Sequence, residues 1–154
     1  MSTAIPTEDE DSKPSAQPST DQASFLAAAK SGDTETVKQA LIKNKIDING
    51  RDTLGTTAWP IRSTALIEAC NSGHESIVRL LLNRDDILVN QTDNGNNTAL
   101  MIGCRNGRVS SVKLLLGRKD IDVILKNNDG KTAYDLCSKG ISKKTKRLLK
   151  GRMG

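Results

Sequence analysis

Few side chains in this sequence could do chemistry: the cysteines Cys70, Cys104 and Cys137, the single histidine His74, and the acid pairs Asp85/Asp86 and Asp120/Asp122. A zinc centre would need Cys and His a few residues apart. Here the thiols stand 34 and 33 residues from one another, with one imidazole to share. The aspartates fall just after apolar helical patterns, where Asp is a turn former rather than a general acid or a metal ligand. No Gly-rich phosphate loop and no Gly-x-Ser-x-Gly nucleophile turn is present. The sequence therefore predicts no catalytic residue, no cofactor and no metal site. The cysteines read as small buried thiols in a reducing compartment.

The spacing of the cysteines points to what positions them. Residues 63–96 and 97–130, laid over each other at an offset of 34, agree at 15 positions, among them Thr64/Thr98, Ala65/Ala99, Leu66/Leu100, Cys70/Cys104, Gly73/Gly107, Val78/Val112 and Leu81/Leu115. Self-similarity at such a period means stacked supersecondary units, each with an apolar face that only its neighbour can bury. Backwards the period runs through Gly32, Val37 and Ile46–Ile48, and forwards through Lys131–Tyr134 and Leu148–Leu149. Four units follow, near 23–62, 63–96, 97–130 and 131–154. Cys137 falls one place early in the last of them.

Within a unit, Leu66, Ala69 and Cys70 share one helical face, Gly73 breaks the helix, and Ile77, Val78, Leu81 and Leu82 repeat the spacing on a second helix. The turn between them is tight, so the helices run antiparallel. Ile87–Val89 is extended, and Asp93-Asn94-Gly95-Asn96 is turn chemistry leading into the next unit. Residues 1–20, rich in Ser, Thr, Pro and acids, cannot bury enough apolar surface to order and are expected to form a disordered tail. The domain is expected over 21–154, opening on a helix from Gln22 to Lys30 capped by Asp21 or Thr20.

Charge divides along the same boundary. The net charge is +5, but residues 1–22 carry −4 and the remainder +9. A basic body favours an acidic partner surface. With three aromatics, Phe25, Trp59 and Tyr134, none recurring by unit, a base-stacking platform is not expected. No apolar run is long enough for a membrane span, and the acidic N-terminal stretch is not a secretory signal.

Thr64-Ala65-Leu66 with Ala69-Cys70, Gly73-His74, Ile77-Val78, Leu81-Leu82, Val89-Asn90 and the Asp93/Gly95 turn resembles the ankyrin repeat, over about residues 23–152. Tetratricopeptide units share the period but want a recurring Trp, Leu-Gly and Tyr, which are missing. The resemblance implies an all-α repeat solenoid of four helix-turn-helix units joined by hairpin-like loops, with His74 structural. It also implies a concave groove lined by hairpin tips and first-helix ends. By position that groove takes Arg51, Thr53, Leu54, Asn71, Ser72, Thr92, Asn94, Arg105, Asn106, Lys126, Asn128 and Lys139, and all but Leu54 are polar or basic.

Three departures from the family pattern bear on function. The Pro and His of its Thr-Pro-Leu-His box are replaced by Ala65/Ala99/Ala133 and by Ile67/Met101/Asp135. The loop-to-loop bond that this His makes in the family is expected to be missing and the stack to be less rigid. Residues 56–62 lengthen the first hairpin and carry Trp59, either as a lid on the Ala-rich first unit or as an interface anchor. Finally, Lys143-Lys144-Thr145-Lys146-Arg147 is either a solvated terminal cap or a short nuclear-import signal.

The function expected from this reading is a non-enzymatic interaction module, a small adaptor or inhibitor. It would be monomeric, not inserted in a membrane, and cytoplasmic or nuclear, and would bind another protein through an acidic or polar segment. The alternative is a nucleic-acid-associated or nuclear regulatory protein using the basic body and C-terminal helix.

Overall fold

A computed structural model describes residues 20–51 and 63–154 of the chain. The expected tail except Thr20, which is helical, and the seven-residue insertion with Trp59 lie outside the described residues. Among the described residues seven helices follow in order: α1 (Thr20–Ser31), α2 (Thr34–Lys43), α3 (Ala65–Ser72), α4 (Glu75–Leu82), α5 (Ala99–Arg105), α6 (Val109–Leu116) and α7 (Lys143–Met153). Paired as α1/α2, α3/α4 and α5/α6, they stack so that α1 meets α3 and α3 meets α5, while α2 meets α4, α4 meets α6 and α6 meets α7. That is the all-α repeat solenoid expected from the period.

Each pair is turned by a glycine with positive φ: Gly32 at 88°, Gly73 at 80° and Gly107 at 68°. A side chain there would be strained, and the next unit leaves no room for one. A Cβ on Gly32 would lie 2.7 Å from the His74 ring, and one on Gly73 would lie 3.0 Å from Arg108. Glycine is needed both for the turn and for close approach of the following unit.

The core is one column, aliphatic but for Phe25 and the sulfur-bearing Cys70, Met101 and Cys104. Phe25, Leu66 and Leu100 on the first helices, and Val37, Val78, Val112, Leu81, Leu115 and Leu149 on the second, are buried almost completely. Because each such side chain is covered partly by its own unit and partly by the next, stability is shared between neighbours. Cys70 and Cys104 are buried in the column as expected, and desolvation pushes the Cys70 thiol up to about 12.

The fourth unit is built differently. Residues 133–136 form a turn in place of a first helix. In units two and three the capping threonine and the inter-helix glycine stand nine residues apart, at Thr64/Gly73 and Thr98/Gly107; in unit four Thr132 and Gly140 stand eight apart. The missing residue prevents two complete helical turns. Instead the Asp135 carboxylate accepts from Thr132 N and Oγ1, both at 2.9 Å, closing a local box. Those bonds hold the Asp135 carboxyl below the usual carboxylate range, the backbone N–H contributing most.

Candidate interaction surface

The hairpin tips are one turn made twice. Asp93 N donates to Asn97 O and Asn127 N to Lys131 O, each at 3.0 Å. Asp93 Oδ1 accepts from Gly95 N at 2.8 Å and Asn97 N at 2.9 Å; Asn127 Oδ1 accepts from Asp129 N and Lys131 N at 3.0 Å. Bridges Arg51/Thr64 and Thr92/Thr98 close the bases of the first two hairpins. Thr64 and Thr98 then cap α3 and α5 through Ile67 N and Met101 N.

Neighbouring tips are tied by asparagines. Asn97, buried, accepts at Oδ1 from Asn127 Nδ2 at 2.9 Å and from Arg105 Nη2 at 2.7 Å, while its Nδ2 donates to Asp93. Asn128 N donates to Gly95 O at 2.9 Å, and Asn96 Nδ2 to Asn128 Oδ1 at 2.8 Å. The loop-to-loop tie expected to be missing without the box histidine is therefore present by other means between the second and third tips. Asn127 is the residue sequence reasoning missed. Its signal was the recurrence of Asp93/Asn127 at the turn start, 34 residues apart.

On the helix ends a second set of ties alternates with helix capping. His74 Nε2 lies 3.0 Å from Lys30 O, and Arg108 Nε donates to Asn71 O at 3.2 Å. Both occupy the cap position of their helices, α4 and α6, and neither makes a side-chain cap bond. At the two ends of the stack the same position is Asp33 and Ser142, and these do cap, through Thr36 N and Thr145 N. Internal units thus give up the cap to hold their neighbour, and the structural role read for His74 is this tie.

The far side repeats the theme. Asn49 donates to Asp86 O and accepts from Leu88 N; Asn90 does the same with Asp120 O and Asp122 N, all between 2.7 and 2.8 Å. Arg118 Nη1 donates to Leu82 O at 3.0 Å and Arg152 Nη1 to Arg118 O at 2.8 Å. Asp86 and Asp120 are gripped bidentately by Arg84 and Arg118, which lowers both carboxyls, hydrogen bonding contributing most. Two of the turn aspartates are thus ion-paired rather than simply solvated.

Of the expected contact residues, Asn71, Asn94, Arg105, Asn106, Lys126, Asn128 and Lys139 are exposed, Arg51, Ser72 and Thr92 are half-buried, and Thr53, Leu54 and Trp59 lie outside the described residues. Several also bond their neighbours: Asn106 Nδ2 donates to Asn71 Oδ1 at 2.7 Å, Arg105 holds Asn97, and Asn128 Nδ2 donates to Asn94 O. Arg105 places the end of α5 against the second hairpin tip, so first-helix ends and tips form one surface.

A family model described as ankyrin repeats, in three copies, matches residues 25–127. The chain belongs to the ankyrin repeat family. The match ends before the turn that replaces the first helix of the fourth unit. No curated protein matches the chain. Ankyrin repeats are in general protein–protein interaction modules and typically not enzymes. Among the described residues no group of three or more His, Cys, Asp or Glu is placed to hold a metal, and no helix is long and apolar enough to cross a membrane.

Proposed function

We propose that the chain is a non-enzymatic adaptor or inhibitor that binds an extended, polar or acidic segment of another protein across the first-helix ends and hairpin tips. The observation that carries the reading is one exposed row of carboxamides and cations at repeat spacing. Asn71 and Asn106, then Arg105, Lys126 and Lys139, stand on a face whose backbone is already held by Asn97 and Asn127. Carboxamides bond a partner's main chain without demanding a sequence, and the cations choose its charge.

The test is selection from a random peptide display library against the full chain. Selected peptides should be enriched in Asp and Glu. The pair Lys126→Glu and Lys139→Glu should weaken them at least about tenfold, one decade per 1.4 kcal/mol. Lys113→Glu, on α6 away from this row, should not. Peptides without acidic bias, or binding indifferent to the Lys126/Lys139 pair, would overturn the reading.

A further inference from the structure

The last unit ends in a surface unlike any inside the stack. Tyr134, Lys143, Lys146, Arg147 and Lys150 enclose an open depression of about 300 Å³ between the turn at 133–136 and α7. By repeat position, Tyr134, Lys146 and Lys150 stand where unit three has Leu100, Val112 and Leu116 and unit two has Leu66, Val78 and Leu82. Those six side chains are all buried in the core, at 8 % exposure or less. At the C-terminal end of the stack these apolar positions are exchanged for an aromatic ring and cations, which line the depression. That is not the chemistry by which one unit of this chain covers another.

A solvated end needs polarity, but it does not need one sign of charge. From Leu136 onward there are seven cations and no acid. Within α7 the four cations of the depression fall at i, i+3, i+4 and i+7, a spacing at which like charges repel. Lys143, Lys144 and Lys146 also crowd the first turn, where the helix dipole disfavours cations. Two other second helices follow the opposite rule. Helices α2 and α4 carry Glu35 and Glu75 in their first turns, paired to Lys38 at 2.7 Å and to Arg79 at 2.8 Å. None of the α7 cations has an acid within ion-pair distance among the described residues. Apart from Lys150 and Arg152, which the C-terminal end of the helix dipole favours, these choices cost stability in the same direction, and one event offsets that cost: the arrival of an anion.

We infer that this end groove is a second binding site, for a short acidic peptide segment of a partner protein. Its extent sets the length of the ligand. Residues 143 to 150 span about 10 Å of helix at 1.5 Å per residue, room for three or four carboxylates of an extended chain. Nucleic-acid binding draws on a longer track of six to ten phosphates, and a single tyrosine offers a seat for one base. The site is separate from the carboxamide row of the proposed partner surface and does not depend on it.

The probe is a fluorescein-labelled peptide of four consecutive glutamates flanked by Gly and Ser, titrated by anisotropy against the full chain at low salt. The pair Lys146→Gln and Lys150→Gln should weaken binding at least tenfold while far-ultraviolet dichroism and Tm hold or rise, since repulsion is relieved. A control pair of equal charge, Lys113→Gln and Lys119→Gln, should change affinity less than twofold, as should Lys126→Glu with Lys139→Glu. Equal loss in the end-groove and control pairs would mean general charge attraction and overturn the site. A second pair, Lys143→Gln and Arg147→Gln, repeats the measurement should the first disturb folding. A single-stranded oligonucleotide of equal charge that binds more tightly than the peptide, with the same dependence on Lys146 and Lys150, would overturn the assignment of a peptide ligand.

Discussion

Asn97 is almost wholly buried, and its carboxamide satisfies three neighbours at once: Arg105, Asn127 and Asp93. Replacing it with Leu keeps the volume but strands two donors and part of a carboxylate. An unsatisfied buried polar group costs about 1–3 kcal/mol, so Asn97→Leu should lower the unfolding free energy by about 2 kcal/mol in urea titration. Asn128→Ala, whose partners are exposed, should cost far less. The ion pairs make a second prediction. Asp120 is held below its ordinary value of 3.8 by hydrogen bonds from Arg118. A carboxyl depressed in the folded state contributes stability that is complete above the unfolded value and is lost as pH falls through the folded one. Tm should therefore be flat from pH 7 to about 5 and fall below 4; Asp120→Asn should lower the plateau and flatten the fall. At this scale the sequence was legible where burial decided the role, as for Cys70, Cys104 and Val78. It was less so where a side chain had two uses, because nothing in the spacing of Asn71 and Asn106 says that they bond each other.

At the scale of the element, the cap position divides the helices into those that cap themselves and those that reach backwards. Ser142 accepts from Thr145 N, and a lost Ser cap costs about 1 kcal/mol. Ser142→Ala should therefore loosen α7 alone. His74 holds Lys30 O instead, so His74→Ala should act on the α1/α3 contact, raising exchange of amides in α1 while the amides of α4 change little. The opposite pattern, with α4 fraying first, would show that the imidazole works as a cap after all. The helix pairs could be read directly from apolar faces separated by a glycine, since both the 3.6-residue period and the break are written locally. The shortened first element of unit four left its mark as well, in the early position of Cys137, but one missing residue announces only a shift in register. That the helix gives way to the Thr132/Asp135 box depends on a side-chain bond that periodicity does not encode.

For the whole molecule, the distribution of ties sets which part opens first. Asn49 and Asn90 clamp the second and third units from behind, but the equivalent residue facing the fourth is Ile124, which is 58 % exposed. Among the described residues the last interface keeps Ser138 N to Cys104 O and Arg152 to Arg118 O, together with the burial of Ala133, Ile141, Thr145 and Leu149. In a stack whose stability is a sum of neighbour terms, the unit with fewest terms unfolds separately. Leu149→Ala removes a wholly buried side chain, a change that costs about 2–5 kcal/mol. That is enough to detach α7 without melting the rest. Hydrogen exchange should then show α7 amides unprotected while α3 to α6 keep their protection, and the acidic-peptide site on α7 should be lost together with the helix. Loss of protection throughout the chain would mean that the four units are one cooperative body, with coupling across the third interface stronger than its few bonds imply. The number and order of units were legible in the period of 34 residues. The weakness of the last interface was not, because it arises from one asparagine replaced by isoleucine and can be judged only against the backbone that asparagine would have held.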